Sequence, residues 1–279
     1  MEAKILDGKA LAAKIKAGLA EKVKTMASRP GLAVILVGDD PASRVYVTSK
    51  RKDCEECGFY SEEYTLPAQT QPQELLDLIG VLNARADIDG ILVQLPLPAQ
   101  FDEKEVLLAI DPDKDVDGFH PMNVGKLVSG EESFLPCTPA GVMALLEEAG
   151  IDPAGKHCVV LGRSNIVGKP QALLMLRKDA TVTICHSKTP DLAQECRRAD
   201  ILICAVGRTG LVTPDMVKEG AVIVDVAMNR DENGKLCGDC CRETYEKASY
   251  FTPVPGGVGP MTRAMLMDNT LRAAKLHGK

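Results

Sequence analysis

The sequence predicts an α/β fold of two domains flanking a cleft, with the second domain built on a parallel sheet. Three observations carry that expectation. A length of 279 residues suits one large domain or two modest ones, at a prior of about 150 residues each. Apolar runs such as LAVILV (32–37) and DILICAVG (200–207) alternate with helical periodicity throughout. The alternation breaks at DPDKDVDGFHPMNVGKL (111–127), too rich in Asp, Pro and Gly for regular structure and expected to be loop, and restarts at CTPAGVMALLEEAG (137–150).

In order, a helix is expected over 9–27, then the buried strand 32–37. A helix opens at Asp40-Pro41, with Asp as N-cap and Pro at the first helical position. A strand at 60–65, a helix at 72–84, the strand DGILVQ (89–94) and a short helix at 102–109 complete the first series. In the second, Thr138 is expected to cap a helix that Pro139 starts and Gly150 ends. Strands follow at 156–162, 180–185, 200–207 and 221–227, with helices at 167–178 and 190–198 between them and a last helix at 260–276. Such continuous apolar strands fit a parallel sheet covered on both faces.

Composition narrows the function. Thirty-three basic against 39 acidic side chains give a formal charge of −6, which offers no electrostatic footprint for nucleic acid or an anionic membrane. No apolar run approaches a membrane span, and MEAKILDGKALAAKI lacks a signal core, so a cytoplasmic protein is expected. The ten cysteines are then reduced thiols. Cys54-x-x-Cys57 and Cys237-x-x-Cys240 lie too far apart in sequence for a zinc ribbon, so no metal is expected.

VVLGRSNIVGKP (159–170) runs a buried strand through Gly162, Arg163, Ser164 and Asn165 into a helix around Gly168. In that context backbone N–H groups and a helix N-terminus face a pyrophosphate, although a plain strand-to-helix turn is the other reading. The next strand ends in Cys185-His186-Ser187-Lys188, without the carboxylate that usually reads the ribose hydroxyls of NAD. Arg163, Ser187 and Lys188 suit a 2′-phosphate, so the sign of charge favours NADP.

Ser43, Tyr46 and Lys50 share one helix face that Cys54 and Cys57 continue. An inward lysine with a lowered pKa suits a general base, whereas one that snorkels outward is only a solvated charge. Gln94 ends a strand at the position where α/β sheets bind ligands. The three Asp residues of DKDVDG (113–118) fit a carboxylate reading paired N–H donors or a solvated acidic loop; calcium-loop spacing is absent. TPVPGGVGPMT (252–262) allows close approach of a ligand to backbone, or forms a linker.

Taken with PASRVYVTSKRK, DGILVQLPLP, DKDVDGFHPMNVGKL and PCTPAGV, these motifs in this order resemble the bifunctional methylenetetrahydrofolate dehydrogenase/methenyltetrahydrofolate cyclohydrolase family over essentially the whole chain. The resemblance implies a folate-binding catalytic domain at 1–137 plus 262–279, with the C-terminal helix packing back on it. It implies a Rossmann-like NADP domain at 138–261, and a homodimer. Lys50 would be the catalytic lysine, supported by Ser43 and Gln94, with Tyr46 over the substrate and Asp117 on the pterin. Val93, Leu95 and the segment Pro255, Gly256, Gly257, Val258 and Gly259 would line the folate pocket. Gly162, Arg163, Ser164, Ser187 and Met228 would bind NADP. Ala227 and Arg263 stand where Gly and an apolar residue are common in the family. Two further readings compete: a dehydrogenase without cyclohydrolase activity, and a non-catalytic dinucleotide-binding regulator.

Overall fold

The computed structural model describes residues 3–279; residues 1 and 2, where the expected first domain begins, lie outside the described residues. The elements in order are β1 (Lys4–Ile5), α1 (Gly8–Val23), β2 (Gly31–Val37), α2 (Pro41–Cys57), β3 (Tyr60–Leu66), α3 (Pro72–Ala84), β4 (Gly90–Val93), α4 (Glu103–Ala109), α5 (Pro121–Ser129) and α6 (Cys137–Glu148). There follow β5 (His157–Leu161), α7 (Gly168–Leu176), β6 (Thr181–Cys185), α8 (Leu192–Arg197), β7 (Ile201–Cys204), β8 (Val222–Asp225), β9 (Asn229–Arg230), β10 (Leu236–Cys237), β11 (Tyr250–Phe251) and α9 (Val258–Leu276). Two compact units result, one of Ala13–Cys137 with Arg263–Lys279, the other of Thr138–Thr262 with the segment ending at Ala12.

In the first unit β2 is the centre of a three-stranded parallel sheet ordered β3-β2-β4. All seven of its residues are buried, and strand alternation divides them between two layers. Leu32, Val34 and Leu36 join Cys54, Cys57 and Val116 with Leu266, Met267 and Leu271 of α9. Ala33, Ile35 and Val37 join Leu75, Ile79 and Leu82 of α3 with Val93. Each buried Leu, Ile or Val contributes roughly 1.5–3 kcal/mol. The C-terminal helix is thus a structural part of this unit, as expected.

α2 begins as its sequence implies, because the Asp40 carboxylate accepts from Ser43 N at 2.7 Å and Pro41 opens the helix. The expected loop 111–127 needs correction, since α5 begins at Pro121 within it. His120 Nδ1 accepts from Met122 N at 3.1 Å and left-handed Gly130 closes the helix. Asp, Pro and Gly density concealed a helix whose punctuation is only its two ends.

The second unit holds a six-stranded sheet ordered β1-β11-β8-β7-β5-β6, parallel throughout. From β5 the chain crosses to β6 on one side and then back to β7 on the other, which creates the topological switch at which such sheets bind ligands. β5, β7 and β8 are buried, apart from the first residue of β5, whereas in edge strand β6 only Cys185 is buried. Residues 3–12 group here, whereas the expected first domain includes them: β1 pairs with β11, and Leu6 N donates to Phe251 O at 2.8 Å. A two-residue strand carries no periodicity that sequence could reveal. Thr138 also differs from expectation. Its helix already begins at Cys137, and its hydroxyl lies 2.8 Å from that of Thr262 instead of capping.

Candidate active site

In the first unit, α2 turns Ser43, Lys50, Cys54 and Cys57 inward, all at most 9% exposed, with Tyr46 at the rim at 36%. Lys50 Nζ donates to Gln94 Oε1 at 2.9 Å. The Gln94 amide is oriented for that role, because its Nε2 donates to Leu95 O at 2.7 Å and leaves Oε1 as the acceptor. Its backbone N–H is fixed on Ile35 O at 2.8 Å, so the site residue is an extension of β4 beside the buried Val93. Desolvation holds the Lys50 pKa below its ordinary value; the charge of Asp117 opposes that shift and the charge of Arg263 adds to it. An inward, neutralisable amine is therefore what the structure contains, and the outward-snorkelling alternative does not hold. Ser43 is placed differently from the expectation that it supports Lys50: its hydroxyl donates to Asp40 Oδ2 at 2.8 Å and serves the helix cap. Burial raises the Tyr46 hydroxyl pKa, against the charge of Arg263.

The three aspartates of residues 113–118 have three different fates. Asp113 is exposed. Asp115, 1% exposed, accepts from His120 N at 2.8 Å, Asn123 Nδ2 at 2.9 Å and Phe119 N at 3.2 Å, so it folds the loop. Asp117 has its pKa pushed up to about 6 by desolvation, while the Lys50 charge and a hydrogen bond with the Cys137 thiol pull it down. Lys114 is structural as well, donating to Arg85 O at 2.6 Å beyond the end of α3. Arg263 is held by Asp53, which also binds Lys16, with Arg263 Nη1 2.8 Å and Lys16 Nζ 2.6 Å from its carboxylate oxygens. The sequence analysis singles out Arg263 but not its partner Asp53, which is 2% exposed. Cys54 and Cys57 pack in the core, their thiols pushed up to about 12 by burial.

In the second unit the glycine turn sits at the carboxyl end of β5. Gly162 has φ +113°, and a Cβ there would lie 2.3 Å from Ala205 O beyond β7. A Cβ on Gly168 would lie 2.3 Å from Gly162 O. Both glycines are therefore required for close strand–helix packing under the turn. Ser164 Oγ accepts from Val167 N at 3.2 Å and Gly168 N at 3.3 Å, shaping the turn. Because Leu161 pairs with Cys185, Arg163 and Ser187 each stand two residues beyond paired positions, and both are exposed. Exposed Lys188 follows, and no acidic side chain interrupts residues 185–188. A glycine cradle with exposed cationic and hydroxyl donors fits a dinucleotide that carries an extra phosphate.

The 252–262 segment is fixed and does not behave as a linker. Gly257 N donates to Pro253 O at 2.8 Å, and Lys9 N donates to Gly256 O at 3.0 Å. Gly256 adopts φ +110°, which only glycine takes without strain. Pro255 and Val258 belong to this fixed turn, with Val258 3% exposed. A Cβ on Gly259 would lie 3.3 Å from Met228 Sδ, so the structure brings those two expected site residues together. Ala227 is 7% exposed, its N–H 3.3 Å from Asp225 Oδ1.

These features define a two-unit α/β enzyme class, with a parallel dinucleotide-binding sheet in one unit and a desolvated lysine–glutamine–aspartate centre in the other. Residues 6–117 match the catalytic-domain model of tetrahydrofolate dehydrogenase/cyclohydrolase, and residues 136–278 match its NAD(P)-binding-domain model. The bifunctional protein FolD of Ruminiclostridium cellulolyticum is 59% identical over 280 residues, covering 99% of each chain. The crystal structure of bifunctional FolD from Campylobacter jejuni superposes with a TM-score of 0.97 at 53% identity, covering 98% of this chain and 99% of that one. The Trypanosoma brucei enzyme, solved with NADP cofactor and inhibitor, gives 0.94 at 40% identity, covering 99% and 98% respectively. The chain belongs to the tetrahydrofolate dehydrogenase/cyclohydrolase family.

Proposed function

We infer that the chain oxidises 5,10-methylenetetrahydrofolate to the 5,10-methenyl form with NADP+ and hydrolyses that product to 10-formyltetrahydrofolate. The observation that carries this reading is the desolvated Lys50 amine, hydrogen-bonded to Gln94 Oε1 and electrostatically coupled to Asp117. We assign Gly162, Arg163, Ser164, Ser187 and Met228 to NADP, within a nucleotide domain at 138–261. The folate site is assigned to Tyr46, Lys50, Val93, Gln94, Leu95 and Asp117 of the catalytic domain. When bound, NADP+ supplies the hydride acceptor.

Loss of hydride leaves a cation delocalised over the two folate nitrogens, which a neutral Lys50 does not repel. In the hydrolytic step water attacks the methenyl carbon, and Lys50 accepts the proton that the attacking water releases. The carbon–N5 bond then breaks as N5 takes up that proton and the carbinol hydroxyl releases its remaining proton to solvent, which leaves the formyl C=O on N10. Gln94 keeps the Lys50 lone pair directed, since it occupies one of the amine's N–H groups. The Asp117 carboxylate accepts from the paired N–H donors of the pterin edge, and the Tyr46 ring covers the substrate.

The homodimer is carried from the family resemblance and the cytoplasmic location from the sequence; among the described residues no helix is long and apolar enough to cross a membrane. Sedimentation at several concentrations tests the dimer. The hydrolytic half is tested by the decay of methenyltetrahydrofolate absorbance without nucleotide, and a rate equal to the buffer rate would remove it.

A further inference from the structure

Residues Val206, Gly207 and Arg208 are exposed, yet all three backbone N–H groups turn inward onto one carboxylate. Asp239 is 0% exposed; its Oδ2 accepts from Val206 N at 2.7 Å and Gly207 N at 3.3 Å, and its Oδ1 from Arg208 N at 2.6 Å. Asn229 Nδ2 adds a fourth donor to Oδ1 at 3.0 Å. Water would satisfy the amides of an exposed loop at no cost, so inward satisfaction fixes a conformation that solvent does not require.

Asp239 is itself anchored from behind, because its N–H donates to Asp225 Oδ1 at 3.0 Å and its carbonyl accepts from Val212 N at 3.0 Å. The loop it holds follows β7 directly, and Ala205 O is the atom against which Gly162 packs. It therefore lies beside the glycine turn, at the carboxyl ends of the paired strands β7 and β5.

We propose that Asp239, with Asn229, is a positioning residue that fixes the Val206–Arg208 loop as a wall of the nucleotide site. This rests on the NADP reading above. It gives the Cys237–Cys241 segment a role that its thiols do not supply: Cys240 Sγ lies 3.5 Å from the buried Cys204 Sγ, and Cys241 Sγ is spent on Val212 O at 3.2 Å.

The test compares wild type, Asp239→Asn and Asn229→Ala by calorimetric titration with NADP+ alone and by methenyltetrahydrofolate hydrolysis without nucleotide. In Asp239→Asn an amide nitrogen faces two N–H donors whichever way it is turned. NADP+ binding should weaken about tenfold while hydrolysis stays within twofold of wild type. Asn229→Ala removes one of the four donors on Asp239, together with the Asn229 bond to Gly238 O at 3.1 Å, and should weaken NADP+ about threefold, also sparing hydrolysis. Should Asp239→Asn not fold, the Asn229→Ala titration decides, and unchanged NADP+ affinity in it overturns the proposal. Folded Asp239→Asn that binds NADP+ as wild type does overturns it too, as does equal loss of both readouts, which marks a merely structural carboxylate. Wild type that binds no NADP+ overturns the nucleotide reading itself.

Discussion

Replacing Lys50 by Met removes the amine and keeps the length of its stem. Of three ammonium N–H groups, the hydrogen bond to Gln94 Oε1 at 2.9 Å fixes one in a surrounding that leaves the residue only 9% exposed. Desolvation is the largest influence on this group and lowers its pKa, so the native state holds the proton more weakly than the unfolded chain does. Stability then increases as pH rises from the folded pKa toward the unfolded value near 10.4, and below the folded pKa the amine costs ~1.4 kcal/mol for each unit of depression. Lys50→Met should therefore melt no lower than wild type at pH 7, with a gain of about 2–4 °C for each kcal/mol recovered. With the opposing Lys50 charge gone, the Asp117 pKa should move higher than about 6. Hydrolysis of methenyltetrahydrofolate should fall by roughly 10²–10⁴-fold, the range for a lost general base. NADP+ affinity should not change, because the glycine turn belongs to the other unit. Hydrolysis within threefold of wild type in the folded variant would refute the role of Lys50, and a melting point lowered by many degrees would refute the desolvation reasoning.

Two other substitutions or titrations address the remaining assignments. Ser187→Asp places a carboxylate two residues beyond the end of β6; NADP+ affinity should fall about 10²-fold, while NAD+ loses little, as measured by titration with each nucleotide. Asp117, with its pKa raised to about 6, must be ionised to accept pterin N–H donors. Affinity for a non-reactive tetrahydrofolate analogue should be flat above pH 7 and fall about tenfold per unit well below pH 6, a dependence that Asp117→Asn abolishes.

What sequence reveals here follows from how each feature is encoded. Gly162 and Gly168 were legible because backbone packing against Ala205 O and Gly162 O excludes any side chain, and composition records that exclusion directly. The face of Lys50 was legible from spacing, since Cys54 and Cys57 could only continue an inward stripe. The partners of that face were less so. Ser43 donates its hydroxyl to Asp40 Oδ2, its neighbour in the cap, at 2.8 Å. Buried acids such as Asp53, Asp115, Asp225 and Asp239 were invisible, since nothing in a polar letter tells burial from exposure until the donors around it are placed. Edge strand β1 is too short to carry a period, and helix α5 lies in a stretch whose Asp, Pro and Gly content reads as loop.

The central claim, two reactions on one folate carbon, is tested most directly with purified protein, 5,10-methylenetetrahydrofolate and either NADP+ or NAD+. Reduced nicotinamide and acid-stable methenyl product are followed separately. The account predicts NADPH formation, preference for NADP+ over NAD+, and 10-formyltetrahydrofolate without accumulation of the methenyl form. Stoichiometric methenyl accumulation would contradict the hydrolytic half, and folded protein that reduces neither nucleotide would contradict the whole.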